Sequence, residues 1–195
     1  MILNLRGTSG SGKSHLVREI VGHYTTKLPF FIKERKRPVG YLFKRKDPRK
    51  GKDLWVPGHY ETPCGGCDTI PNLDMVFDLV RRGHTAGHDV LFEGLLVNSD
   101  RNRTIEMYKE GLPIRIVTLG TELEVCVSSV QARRDERARN RKGGPREAKP
   151  LNPRNTETKY HLALKNHEKF LEASVPSYYL GRDEALEMVR SYLRL

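Results

Sequence analysis

The chain has 195 residues, enough for one domain that buries a core without disulfide or metal staples. Hydrophobic residues make up 37% and charged residues 30%, and the formal net charge is +11. No apolar run approaches the roughly 20 residues of a membrane span, and three cysteines make no disulfide framework, so membrane-embedded, secreted, disordered and coiled-coil readings are set aside.

Ile2-Leu3-Asn4-Leu5 is a short apolar run ending at Gly7 and predicts a buried strand. Because the strand pattern begins at Met1, no leader is expected, and a reducing cytoplasm is the expected compartment. From Ser14 a helical pattern follows, with Leu16, Val17, Ile20, Val21 and Tyr24 on one face, stopping before Pro29. Phe30-Phe31-Ile32 predicts a second strand. Val39–Phe43 and Leu54–Val56 flank a turn-rich stretch, 46–51, and predict a hairpin with a basic tip within a 33–60 insertion. Pro71 opens the next predicted helix, with Gly83 just after its end. Val90-Leu91-Phe92 predicts a buried strand running into Glu93-Gly94, 101–110 a helix, and Ile114–Leu119 another strand. A helix is expected over 122–139, then a loop at 150–155, a helix over 158–172, a strand at 178–180 and a closing helix over 182–192. This alternation implies a single α/β domain, 1–195, around a mostly parallel sheet.

The charge is uneven. Residues 33–52 carry a net +8 and residues 131–149 a net +5, leaving the rest of the chain slightly acidic. Two basic limbs on a near-neutral body point to a polyanionic partner.

Gly7-Thr8-Ser9-Gly10-Ser11-Gly12-Lys13-Ser14 matches G-x-x-x-x-G-K-[ST] in full, between a predicted strand and a predicted helix. Glycines let backbone N–H groups close around phosphate oxygens, and the helix N-terminus adds its partial positive charge. Lys13 would reach the β- and γ-phosphates of ATP, and Ser14 would hold Mg²⁺. Phosphoryl transfer also calls for an acid at the metal and a carboxylate to take the acceptor's proton. Glu93 ends a buried strand, where such sheets present ligand groups. Asp68 follows a Gly-Gly turn and precedes a helix, so it reads either as the base or as a helix cap. Arg133, Arg134 and Arg137, with Arg139 and Arg141, lead into Gly143-Gly144-Pro145 and suit an Arg-rich lid over 131–149 that clamps phosphates on a glycine hinge. Cys64-x-x-Cys67 with His84 and His88 approaches a zinc spacing, but the intervening glycines suit a substrate loop better. Cys126 reads as core packing.

The order of P-loop, Val90-Leu91-Phe92-Glu93-Gly94, Ile114–Leu119, Leu123-Glu124-Val125-Cys126 and Arg-rich segment resembles the nucleotide and polynucleotide kinase branch of P-loop proteins. The resemblance implies a five-stranded sheet in the order 2-3-1-4-5 and a lid that closes over ATP. More narrowly, Gly58-His59-Tyr60-Glu61 and Cys64-Gly65-Gly66-Cys67-Asp68-Thr69-Ile70 are similar to bacteriophage 5-hydroxymethyluracil DNA kinases. That similarity implies phosphorylation of the 5-hydroxymethyl group in DNA, a step toward thymine hypermodification, in the cytoplasm of an infected bacterium. Glu93-Gly94 stands where thymidylate kinases carry an Asp-Arg pair, which argues against a simple nucleoside-monophosphate kinase.

The expectation is thus an ATP- and Mg²⁺-dependent DNA kinase. Asp68 is first choice as base, Glu93 serves the metal or substitutes as base, and Lys44, Arg45, Lys46, Arg49 and Lys50 track the DNA backbone. A 5′-hydroxyl polynucleotide kinase, a small-molecule nucleoside or nucleotide kinase, and a non-catalytic NTP-dependent DNA-binding switch stand as alternatives. The oligomeric state is left open.

Overall fold

A computed structural model describes the chain apart from Glu34, residues 62–64, 141–143, 145 and 146. Seven strands form one sheet: β1 (Ile2–Arg6), β2 (Thr26–Phe30), β3 (Gly40–Lys44), β4 (Leu54–Pro57), β5 (Asp89–Glu93), β6 (Ile114–Leu119) and β7 (Ser177–Leu180). Their order is β2-β3-β4-β5-β1-β6-β7. The run from β4 to β7 is parallel, while β2–β3 and β3–β4 pair antiparallel. The sheet thus has seven strands rather than the expected five, and its full order differs, while the five mutually parallel strands β4-β5-β1-β6-β7, numbered among themselves in chain order, run 2-3-1-4-5. The predicted hairpin is present as β3–β4, but it is built into the sheet rather than appended to it, and β2 adds a further strand beyond it.

The buried residues of β1 divide between the two faces, as strand alternation requires. Leu3 and Leu5 join one core with Leu16, Val17 and Ile20 of α1 (Lys13–Val21) and Ala185, Leu186 and Val189 of α6 (Arg182–Leu193). Ile2 joins the other, with Val76, Phe77 and Val80 of α2 (Leu73–Thr85), Met107 of α3 (Asn98–Lys109) and Phe170 of α5 (Arg154–Glu172). The remaining helix, α4 (Leu123–Arg139), begins against the P-loop and runs beside α5. Helices cover both faces, as expected of a parallel sheet.

Two local readings change. The second strand is Thr26–Phe30, earlier than expected, and includes Pro29; a proline is tolerated there because β2 is the outermost strand and all five of its residues are exposed. Gly83 lies inside α2 rather than after it. A Cβ on Gly83 would stand 2.2 Å from Cδ1 of Trp55, whose indole N–H donates to Leu79 O at 2.9 Å. Glycine is there because the pyrrole edge of the β4 indole abuts the helix backbone, and that close approach outweighs its low helix propensity.

Candidate active site

The P-loop turns between β1 and α1, and the surrounding elements fix its shape. Gly10 has φ +90°, and a Cβ there would meet Cys126 O at 2.3 Å, so only glycine lets the loop lie on the first turn of α4. Thr121 Oγ1 donates to Ser11 O at 2.9 Å, and Thr8 Oγ1 donates to Thr156 O at 3.2 Å. The starts of α4 and α5 thus hold a loop more than 100 positions away in sequence. Cys126 is buried, in keeping with its expected packing role.

Lys13 Nζ donates to Gly7 O at 2.8 Å and to Thr8 O at 3.0 Å, so its ammonium sits within the loop. Burial lowers its pKa, with Glu93 and then Asp68 acting in opposition. Ser14 Oγ donates to Glu93 Oε1 at 2.8 Å. Burial at the end of β5 raises the Glu93 pKa, while Lys13 and the Ser14 hydrogen bond pull it back.

Asp68 lies in a 3₁₀ turn, Cys67–Thr69, and is exposed. It is not the cap of α2: Asn72 takes that role, its side chain accepting from Met75 N at 2.8 Å. The loop ahead of Asp68 passes directly over Glu93, since a Cβ on Gly66 would stand 3.2 Å from Glu93 Cδ and 3.3 Å from the Tyr60 hydroxyl. Cys67 is buried, and burial pushes its thiol well above the usual range, so it is held protonated.

A cavity of about 570 Å³ opens over these groups. Lys13, Ser14, Asp68 and Glu93 line one side, and Arg133, Arg134 and Arg137 of α4 line the other. The fold therefore brings the P-loop, both acids and three of the lid arginines to one space. Arg141, Gly143 and Pro145, expected in the lid and its hinge, lie outside the described residues, as does Cys64. A second cavity of about 370 Å³ adjoins the first and shares Ser9, Lys13, Asp68 and Glu93 with it.

The hairpin tip is not part of this assembly. Leu54 pairs in register with Asp89, at the opposite end of β5 from Glu93, so the tip stands at the sheet edge away from the P-loop. Lys44 pairs with Asp53 at 2.7 Å, and Arg45 donates to the backbone carbonyls of Lys52, Leu193 and Arg194. Both serve the fold, whereas Lys46, Arg49 and Lys50 are exposed. Arg49 also pairs with Asp47 at 3.0 Å. The other half of the basic limb, Lys33, Lys36 and Arg37, joins β2 to β3 at the P-loop edge and is likewise exposed. Arg35 donates from there to Thr69 O, next to Asp68, at 2.9 Å. His84 and His88 sit near the start of β5, a strand's length from Cys67, and no three His, Cys, Asp or Glu among the described residues could hold a metal ion as a group.

Sequence reasoning passes over two features of the site. Lys159 of α5 donates to Ser9 Oγ at 3.5 Å, a contact that no local signal announces. Arg6 and Asp100 form a buried ion pair that fixes the loop after β5: Arg6 donates to Leu95 O at 3.0 Å, and Asp100 accepts from Leu95 N at 2.9 Å.

No protein-family model matches the chain. A curated protein of Pseudomonas phage PaMx11, "5-hmdU DNA kinase", is 38% identical over 195 residues, which is 98% of this chain and 96% of that one. Among solved structures, the deoxyadenosine kinase of M. mycoides aligns with 99% of this chain and 98% of its own, at 14% identity and a TM-score of 0.46.

Proposed function

The chain belongs to the family of the phage 5-hmdU DNA kinase, and from this membership we infer that it transfers a phosphoryl group from ATP to a hydroxyl in DNA, the 5-hydroxymethyl group of 5-hydroxymethyluracil. The observation that carries the reading within the molecule is the meeting of two cavities on Lys13, Asp68 and Glu93. A kinase needs one space for the donor and one for the acceptor, joined at the groups that act on the γ-phosphoryl.

The larger cavity suits ATP. P-loop amides and Lys13 take its phosphates, and Arg133, Arg134 and Arg137 face them with guanidinium groups that bind phosphate oxygens bidentately. Ser14 and Glu93 present two oxygens 2.8 Å apart beside Lys13, a donor set that fits magnesium. Bound there, the ion would neutralise charge on the transferring group. With Glu93 engaged by Ser14, Asp68 is the carboxylate placed to take the acceptor's proton, since it lines both cavities. In this assignment the acceptor hydroxyl loses its proton to Asp68 as its oxygen bonds to the γ-phosphorus, and the bond to the ADP oxygen breaks.

The DNA backbone is assigned to the P-loop edge, where Lys33, Lys36 and Arg37 stand on the same side as Asp68. Lys46, Arg49 and Lys50 would meet only DNA that extends round to the far edge, and Lys44 and Arg45 take no part in this assignment because their charges are used within the fold.

The test incubates the protein with labelled ATP and matched duplexes carrying thymine or 5-hydroxymethyluracil, then digests to nucleosides. Label on the hydroxymethyl oxygen of the modified duplex alone is expected. Label on a 5′ end, or on added free nucleoside only, would move the assignment to one of the other kinases.

A further inference from the structure

The smaller cavity has more apolar walls than the larger one. Beyond the four shared residues it is bounded by Gly7 of the P-loop, by Gly94, Leu95, Leu96 and Val97 of the loop after β5, by Leu162 of α5 and by the buried Cys67, with Lys159 the one cation added. Apolar walls with a polar floor describe a seat for a flat, uncharged ring that carries one reactive group. At about 370 Å³ it has room for a single pyrimidine nucleoside and none for a duplex. Its floor is recessed as well: Glu93 is 9% exposed, at the end of a strand buried along its whole length.

A 5-substituent on a paired thymine lies in the major groove of a helix far wider than this opening. It cannot reach the recessed Glu93, beside which the transferring phosphoryl group would sit, while its base stays stacked. Resting on the DNA-kinase reading, we propose that the target base is extruded from the duplex into this cavity, with the ring between the Leu95–Val97 loop and Leu162, the hydroxymethyl group at Asp68, and a flanking phosphate on Lys159. Enzymes that do chemistry on a base reach it by extruding it or by acting on single strands.

Two further observations suit that task. The loop forming one wall is braced from behind by the Arg6–Asp100 pair, which holds both backbone polar groups of Leu95, so the wall is set in place before the base arrives. Lys159 stands at the P-loop, its ammonium 3.5 Å from Ser9 Oγ, and is exposed on α5. An ammonium at the mouth of a base-sized cavity is suitably charged for the backbone of the nucleotide being drawn in.

The experiment uses a duplex with 2-aminopurine next to 5-hydroxymethyluracil, the intact protein and a non-hydrolysable ATP analogue. Extrusion unstacks the probe, and its fluorescence should rise several-fold. In parallel turnover assays with ATP, a duplex with the modified base mispaired should be phosphorylated about tenfold faster than the matched one, because a mispaired base leaves the stack more easily. Val97→Trp, at a position 46% exposed, fills the cavity from the loop side and should remove the fluorescence rise and cut transfer about a hundredfold, with ATP affinity unchanged. Leu162→Phe fills it from α5 and should act in the same direction if the first variant fails to fold. Phosphate transfer to DNA with no fluorescence rise and no effect of mispairing would overturn the proposal, and so would full activity in both filled variants. If no phosphate reaches any DNA while a free nucleoside is phosphorylated, the DNA-kinase reading itself has failed, and the two failures are told apart.

Discussion

Ser14 and Glu93 are joined by a 2.8 Å hydrogen bond that spans 79 positions of sequence and ties the start of α1 to the end of β5. The bond sets two oxygens at one point beside Lys13, and it stands against the burial that raises the Glu93 pKa. A side chain this costly to ionise is retained for its chemistry, so activity and stability should separate there.

Glu93→Gln should reduce transfer at least a hundredfold and raise Tm at neutral pH. Folded Glu93 holds its proton to higher pH than the unfolded chain does. Its contribution to stability is therefore fully present below the ordinary carboxylate value and is lost as pH rises through the folded pKa. Glutamine removes that loss, and the Tm gain should shrink as pH falls toward the carboxylate range. Melting curves from pH 4 to 8 check this, and a variant less stable than wild type at pH 8 would contradict it.

Asp68→Asn should lower turnover by roughly 10²–10⁴ and leave ATP binding nearly unchanged. Asp68 is exposed and lies in a short turn, so the fold should not depend on it. Should Asp68→Asn retain near-normal turnover while Glu93→Gln loses it, the two roles must be exchanged. Single-turnover rates with nucleotide binding measured separately distinguish these cases.

Lys13→Ala should abolish phosphoryl transfer, because it removes the cation positioned within the loop that takes the phosphates. Product formation on modified DNA is the measurement, and a variant turning over near the wild-type rate would refute the kinase assignment.

Salt titration of DNA affinity should separate the two basic surfaces. Each phosphate contact contributes about 0.9 to the slope of log K against log salt. Replacing Lys33, Lys36 and Arg37 with alanine should flatten the slope by about 2–3, while replacing Lys46, Arg49 and Lys50 should change it by less than about 1. The opposite ranking would put the DNA on the far edge of the sheet.

Gly83→Ala should destabilise the fold. Alanine gains about 1 kcal/mol of helix propensity over glycine. The added methyl would stand 2.2 Å from Trp55 Cδ1 and 2.6 Å from Cγ, and overpacking of this kind costs about 1–3 kcal/mol. The clash wins, and denaturant unfolding should show a lower midpoint with red-shifted Trp55 emission.

The local part of the site was legible because its chemistry is local. The P-loop sits in eight consecutive residues, and the strand that ends at Glu93 is a continuous apolar run. Relations that depend on strand direction were not legible. The tip around Lys46 and the turn around Lys36 belong to one basic stretch, and only the antiparallel pairing of β3 sends them to opposite edges. Lys159 reads as one more lysine on a polar helix until α5 folds back to the P-loop. Gly83 reads as a helix stop because periodicity carries no information about an indole from β4.

Pro29 has a consequence beyond the placement of β2. Thr26–Phe30 is the outer strand beyond β3, and it exposes Leu28 and Phe30 beside its polar residues. An apolar outer strand of this kind is a template on which a second chain can pair and start an aggregate. Pro29 interrupts the template between Leu28 and Phe30 with a residue that has no N–H to offer, and Lys27 adds a charge two positions earlier. The residue that reads in sequence as a stop for the first helix is, in the folded chain, a guard against the sheet growing by another molecule.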